Sequence, residues 1–308
     1  MSQDKRQLVL IDAHALVHRS FHAIPPLTHR GQPLNAVYGF ASTLLHVIET
    51  LNPFYLAVAF DEPGPTFRHE DFAAYKAHRP EAPEALKTQF PIVREVVAAF
   101  DLPGFSVPGY EADDVIGTLA RQAENRQVET LIVTGDHDAY QLVSRKIKVF
   151  NVSRGARVAE LIDSGKVREH YGFGPESVVD YKALRGDASD NIPGVPGVGE
   201  KTAKQLIHAF GSIEKLYASL QCDLESVEIP QVSAKLREKL CKFADSAFIS
   251  KKLATIRIDV PIELDLSACR VKHYAEDRAK KMFAELGFRS LITRLPKSQS
   301  ATKQETLF

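Results

Sequence analysis

The chain has 308 residues, 39 Lys plus Arg balanced by 39 Asp plus Glu, and 44% hydrophobic residues, a composition ordinary for a soluble globular protein. That length predicts well-buried cores and two domains, and no apolar run is long enough to span a membrane or to open the chain as a leader. Cys222, Cys241 and Cys269 are odd in number and widely spaced, which predicts neither a disulfide framework nor a zinc site, and so a reducing compartment, the cytoplasm by default.

Gln7 to Ile11 reads as a short buried strand ending at Asp12, Phe54 to Phe60 as another ending at Asp61, and Thr130 to Thr134 as a third, followed by Gly135 and Asp136. Helical periodicity over Ala36 to Asn52 and Ala112 to Asn125 separates them, so the order is that of a parallel α/β sheet. Sites in such sheets form beyond the carboxyl ends of the strands. One Asp after a strand is usually a turn residue or a helix cap. Three of three predict an active site.

Glu111, Asp113 and Asp114 precede an apolar-periodic helix whose positive N-terminus they complement, but three acids in four residues exceed what capping needs. GDHDAY adds Asp136 and Asp138, and RGDASDN adds Asp187 and Asp190, giving nine carboxylates with Asp12 and Asp61. A like-charged pair about 4 Å apart costs roughly 4 kcal/mol at an effective dielectric of about 20, so cations are expected among them. Oxygen donors without paired Cys or His favour Mg²⁺ or Mn²⁺. Two such ions, one generating hydroxide and one stabilising the leaving oxygen, are the usual machinery of phosphodiester hydrolysis. Setting the nine aside leaves 39 basic against 30 acidic residues, a basic remainder suited to nucleic acid.

Residues 62 to 90 are polar and Pro-rich and follow Asp61 directly, as a lid would. Arg68, Lys76 and Arg79 alternate there with Phe67, Phe72 and Tyr75, a mix suited to single-stranded nucleic acid, although a solvated loop explains it too. His14, His18 and His22 have the spacing of a metal row without an accompanying acid, and a partly buried helix accounts for them; Arg19 beside them can reach phosphate. From Arg185 to Lys204 the two acids Asp187 and Asp190 precede a Gly/Pro hairpin that opens into a helix. Gly194, Gly197 and Gly199 allow positive φ and close approach, while Lys201, Thr202 and Lys204 flank the helix N-terminus. This is how a helix–hairpin–helix holds a phosphate backbone without reading bases. Ser212 to Leu220, Val232 to Lys252 and Ala275 to Leu286 read as helices, the last capped by Gly287, and Ile262 to Leu266 as extended. Residues 296–308 read as a flexible tail.

Assembled, these pieces resemble the 5′→3′ exonuclease and flap-endonuclease family, most of all the nuclease domain at the front of bacterial DNA polymerase I. LVLIDAHALVHRSFHA, AFDEPGPTFRHEDFAAYKAHR, VPGYEADDVIGTLA, TGDHDAYQLV and YKALRGDASDNIPGVPGVGEKTA carry the likeness. It implies an α/β PIN-like (resolvase-like) domain over residues 1–180 with a mostly parallel sheet and a helical arch. An all-α helix–hairpin–helix domain would follow over 181–295. It implies one metal group at Asp12, Asp61, Glu111, Asp113 and Asp114 and another at Asp136, Asp138, Asp187 and Asp190, with Lys76, Arg79 and Tyr75 of the arch at the scissile phosphate. It further implies K⁺ in the hairpin, a monomer, and branched, nicked or 5′-flapped DNA as partner, with RNA primers as a further substrate. Ala13 stands where Gly is usual, His18 where Tyr is common and His137 where Lys is usual. The chain shows no polymerase or proofreading domain, so it reads as a free-standing nuclease or the front of a longer polymerase. Gln304 to Phe308, QETLF, resembles peptides that dock on the bacterial sliding clamp. A DNA-binding module without catalysis and a PIN-type ribonuclease are the competing readings.

Overall fold

The computed structural model describes residues 6–222, 229–271 and 276–295. The strands are β1 (Gln7–Asp12), the small antiparallel pair β2 (Thr28–His29) and β3 (Gln32–Pro33), β4 (Tyr55–Ala59), β5 (Gly104–Phe105), β6 (Glu129–Thr134), β7 (Ile147–Asn151) and β8 (Glu160–Ile162). The main sheet runs β5-β4-β1-β6-β7-β8, parallel throughout except for β8. The three apolar runs are its centre. Their residues are buried on both faces, which is why they read as continuous rather than alternating.

On one face Val9, Ile11, Leu56, Val58 and Val133 pack against α1 (Ala13–Ala23), α2 (Asn35–Leu51) and, beyond the short α3 (Phe67–Asp71) and α4 (Glu84–Lys87), α5 (Gln89–Ala99). On the other, Leu8, Leu10, Ala57 and Ile132 pack against α6 (Ala112–Asn125). Each fully buried Leu or Ile contributes about 1.5–3 kcal/mol, so register is strongly fixed. A one-residue slip would turn the apolar set of β1 over.

After α7 (Ser164–Tyr171) the chain becomes helical: α8 (Val178–Arg185), α9 (Glu200–Phe210), α10 (Ile213–Leu220), α11 (Ala234–Lys242) and α12 (Ala244–Ala254). The expected single helix from Val232 to Lys252 is broken at Phe243 (φ −112°, ψ 26°). The bend keeps Leu240 and Phe243 against the larger core while α12 turns along α8 and buries Ser250 and Leu253. Finally α13 (Glu276–Glu285) and α14 (Arg289–Ile292) return to the first domain, where Phe283 and Phe288 pack with Phe100 and Tyr38.

The cysteine expectation fails. Cys222, just past α10, and Cys241, in α11, form a disulfide across a Cα–Cα distance of 5.4 Å. Cys269 is buried and free, so an odd count concealed a real pair 19 residues apart in sequence. Among the described residues no helix is long and apolar enough to cross a membrane.

Candidate active site

Parallel pairing sets Ile11 beside both Val58 and Val133, so β1, β4 and β6 finish level and deliver Asp12, Asp61 and Asp136 to one edge. Helix α6 begins there and adds Asp113. These four, with Glu111, Asp190, Lys76 and Arg79, line a cavity of about 210 Å³. A second cavity of about 500 Å³ shares Asp136 and Asp190 with it and is lined by Asp138, Asp187, Lys182, Arg185 and Arg19. Eight of the nine predicted carboxylates therefore ring two adjoining cavities. Among the described residues no three of them close on a common point.

The inner four carry little compensating charge. Asp12 accepts hydrogen bonds from the Ala15 N–H (2.9 Å), capping α1, and from the Thr134 hydroxyl (2.8 Å). Burial, reinforced by Asp61 and Asp136 and only partly offset by those two bonds, pushes its carboxyl up to about 7. Burial also raises Asp113, with the charges of Asp136, Asp12 and Asp138 adding to it. Asp61 accepts from the Ala112 N–H, while its own N–H donates to His14 Nδ1 at 3.1 Å. That bond commits the His14 lone pair, burial lowers its pKa, and its ring stacks on Phe90. His14 and His18 line the inner cavity, with His14 3.5 Å from Asp61, while His22 is exposed, so the three do not form a common row.

The outer acids are neutralised by the protein itself. Lys76 Nζ sits 2.9 Å from both oxygens of Glu111. Arg79 pairs with Asp190 and donates through Nε to the Ser189 carbonyl at 3.0 Å. Tyr75 is buried and its hydroxyl reaches Glu111 (3.2 Å) and Asp190 (3.1 Å); burial and those two charges keep the phenol protonated. The arch segment is built of α3, turns and α4, with Lys76 in the left-handed region at φ 53° and its N–H on the Asp190 carbonyl. Its three predicted residues thus point into the site.

Lys182 was missed. It lies buried between Asp138 and Asp187, 2.7 Å from the latter. Burial opposes ionisation of Asp187, yet Lys182 and the Ser189 bonds override it and hold the group at about 2. Asp138 stays raised, because burial there outweighs the same ammonium. The available signal was a lone Lys inside the apolar run VVDYKAL.

Two predicted residues take other roles. Asp114 lies behind the cavities, fully buried: its oxygens accept from Arg68 (2.7 and 2.8 Å), from the Glu111 N–H (3.1 Å) and from the Arg257 N–H (2.8 Å). With both oxygens committed, it holds the site's frame rather than a metal. Arg68 is correspondingly 2% exposed and cannot reach DNA as expected. Paired acids in a capping box explain the excess: Glu111 and Asp114 cap α6, which frees Asp113 for the cavity.

The hairpin joins α8 to α9. Gly194 has φ 62°, and a Cβ there would lie 2.2 Å from the Gly186 nitrogen, so only glycine fits. Its N–H turns inward to Ser250 Oγ at 2.9 Å and is unavailable to phosphate, contrary to expectation. Gly197 is also at positive φ, but Gly199 (φ −87°) is an extended N-cap of α9. The outward groups are the first-turn N–H groups of α9 with exposed Lys201 and neighbouring Thr202; Lys204 pairs with Glu200 at 2.7 Å. Arg19 borders the larger cavity and donates to the Ser153 carbonyl. The Gln304–Phe308 peptide and the 296–308 tail lie outside the described residues.

Comparison with known families matches residues 7–172 to the 5′-3′ exonuclease N-terminal resolvase-like domain and residues 173–277 to the 5′-3′ exonuclease C-terminal SAM fold. The chain belongs to the 5′-3′ exonuclease family. DNA polymerase I of Bacillus subtilis is 41% identical over 304 residues, covering 98% of this chain and 34% of that protein. The thermostable DNA polymerase I of Thermus thermophilus is 40% identical over 94% of this chain and 33% of its own length. The chain thus spans about a third of the length of the relatives it matches. Among solved structures, the bacteriophage T5 flap endonuclease in complex with DNA and metal ions shares the fold, with a TM-score of 0.65 and 20% identity over 92% of this chain and 100% of that one.

Proposed function

We propose that this chain is a divalent-metal-dependent 5′→3′ exonuclease and 5′ flap endonuclease that hydrolyses phosphodiester bonds in DNA. The observation that carries the reading is the ring of eight carboxylates at the edge of a parallel sheet, overlain by Lys76 and Arg79 and continuous with a hairpin. Binding DNA requires no acid cluster and is opposed by one. The donor set fits Mg²⁺ or Mn²⁺: all oxygen, with Asp12 buried, Asp113 half-buried and neither with a cationic partner among the described residues. Asp12, Asp61, Asp113 and Asp136 would hold one ion, and Asp138, Asp187 and Asp190 a second. Bound there, the ions activate water and neutralise the leaving oxygen.

The protein's own groups do the rest. Lys76 and Arg79 exchange Glu111 and Asp190 for the scissile phosphate, drawing it to the cavity. Tyr75, buried and kept protonated, holds Glu111 and Asp190 in place from behind the cavity. The first turn of α9, with Lys201 and Lys204, takes the duplex backbone without reading sequence. The T5 flap endonuclease, which shares the fold, was solved with DNA and metal ions, in keeping with a DNA- and metal-binding reading. K⁺ at the hairpin and RNA primers as substrates belong to the same proposal, and docking on the sliding clamp rests on the Gln304–Phe308 sequence alone.

The test is cleavage of a 5′-labelled flap duplex by wild-type protein and Asp12→Asn, in Mg²⁺ and in EDTA, with binding to the same DNA measured in EDTA. The proposal expects metal-dependent cutting near the junction, lost in the variant while binding persists. Tight binding without cutting in Mg²⁺ or Mn²⁺ would leave a DNA-binding module as the better account.

A further inference from the structure

We infer that Arg68 is a positioning residue that sets where the cut falls, by fixing the DNA-gripping hairpin at one distance from the carboxylate cluster. The inference rests on the proposed nuclease reading and concerns a group that touches neither substrate nor metal. Arg68 is a joint of three segments. From α3, at the base of the arch, its fork grips Asp114 at 2.7 and 2.8 Å, and Asp114 in turn holds the Glu111 N–H. Its Nε donates to the Leu253 carbonyl (2.9 Å) and its Nη2 to that of Thr255 (2.9 Å), at the carboxyl end of α12. A helix end presents unsatisfied carbonyls, and a buried guanidinium is well suited to them.

Helix α12 also holds the hairpin. Ser246 Oγ donates to the Gly194 carbonyl (2.7 Å), and Ser250 Oγ accepts the Gly194 N–H (2.9 Å). Helix α12 is therefore a strut that carries the hairpin along its length and meets Arg68 at its carboxyl end. An independent apolar cluster points the same way: Tyr75 of the arch, Ile192 of the hairpin and Leu253 of α12 are buried together. Asn191 closes the triangle, its Nδ2 donating to the Ala74 carbonyl at 2.6 Å. Arch, hairpin and strut form one body, and Arg68 is its buried polar attachment to Asp114, beside the ties of Tyr75 and Lys76 to Glu111 and of the Arg257 N–H to Asp114. Duplex held at the hairpin then reaches the carboxylates at a fixed number of nucleotides.

The experiment maps product lengths from a 5′-flap duplex at single-nucleotide resolution, with kcat and KM, for wild type, Arg68→Lys and Asn191→Gly. Arg68→Lys keeps the charge but leaves one ammonium for acceptors that need a fork. Asn191→Gly keeps the left-handed backbone (φ 58°) and drops only the tie to the arch. Wild type should give one dominant cut. Arg68→Lys should spread it over neighbouring positions and lower kcat by about 10–100-fold, with KM changed less than about 3-fold. Asn191→Gly should spread it less. A purely structural role would lower the active fraction and leave product lengths unchanged, so sharp wild-type products in both variants, with activity tracking the folded fraction, would overturn the inference. If Arg68→Lys does not fold, Asn191→Gly decides. Failure of the wild type to cut at all would instead remove the proposed function and this inference with it.

Discussion

Asp113 and Asp114 are neighbours in the chain with opposite electrostatic fates. Asp113 enters the inner cavity with no cationic partner among the described residues, and burial beside Asp136 and Asp12 raises its carboxyl. Asp114 turns the other way into a four-bonded socket made by Arg68 and backbone N–H groups. The contrast extends to the regions they represent. The frame behind the site is internally neutralised, and so is its outer rim by Lys76, Arg79 and Lys182; the inner face is left in electrostatic debt. Folding tolerates such a cost where an external cation relieves it, so the inner face marks where a cation is first expected, while Asp114 serves shape.

The largest expected effect separates the two neighbours. Asp113→Asn should reduce flap cleavage by about 1000-fold or more, roughly 4 kcal/mol of barrier, while its melting temperature stays level or rises, because a buried acid has been made neutral. Asp114→Ala takes the bidentate partner from the buried Arg68 and leaves it the longer 3.6 Å contact with Glu111, which costs about 3–5 kcal/mol of stability, so its melting temperature should fall sharply. If calorimetry finds Asp113→Asn the less stable of the two, the division between inner face and frame is wrong.

Metal should sharpen the same division through pH. Asp12 is raised from its ordinary 3.8 to about 7, so its folded form prefers the proton. Its contribution is fully present below about pH 4 and is lost as pH rises through 7. Asp187 at about 2 works in the reverse sense, with stability lost only as pH falls from about 4 toward 2. In the neutral range the metal-free protein therefore carries the Asp12 and Asp113 penalty, and a cation relieves it. Mg²⁺ at about 100 times its Kd should stabilise by about 2.7 kcal/mol. At one fixed Mg²⁺ concentration the gain should be clearly larger at pH 8 than at pH 5.5 when melting is followed at both, because the deprotonated inner acids bind more tightly. An equal gain would mean that the inner acids do not take part.

The smallest effect lies farthest from the cluster. Lys201→Ala should weaken duplex binding a few-fold and lower the slope of log affinity against log salt by about 1, with cleavage at saturating DNA unchanged. A loss of kcat instead would place α9 nearer the chemistry than the hairpin geometry allows.

Much of this was legible in sequence, for physical reasons. Strands buried on both faces leave continuous apolar runs, and the Asp after each run must fall at the sheet's carboxyl edge, so Asp12, Asp61 and Asp136 could be placed in advance. Asp113 and Asp114 could not be told apart, because which one caps the helix depends on a turn geometry that both residues permit. Arg68 looked like a solvent-facing cation since its partner lies 46 residues away and its carbonyl acceptors 185 and 187 away. Lys182 drew no reading at all, since one of its two partners, Asp138, lies 44 residues away. The disulfide was hidden by parity, and the break at Phe243 by a periodicity that runs on through it.

The most direct test of the central claim is binding of Mn²⁺, without DNA, to wild type, Asp113→Asn and Asp114→Asn by isothermal titration and electron paramagnetic resonance. The account predicts binding by wild type, loss of the ion at the inner cavity in Asp113→Asn and retention of it in the folded fraction of Asp114→Asn. Binding by Asp113→Asn as tight as wild type, or its loss only in Asp114→Asn, would contradict it.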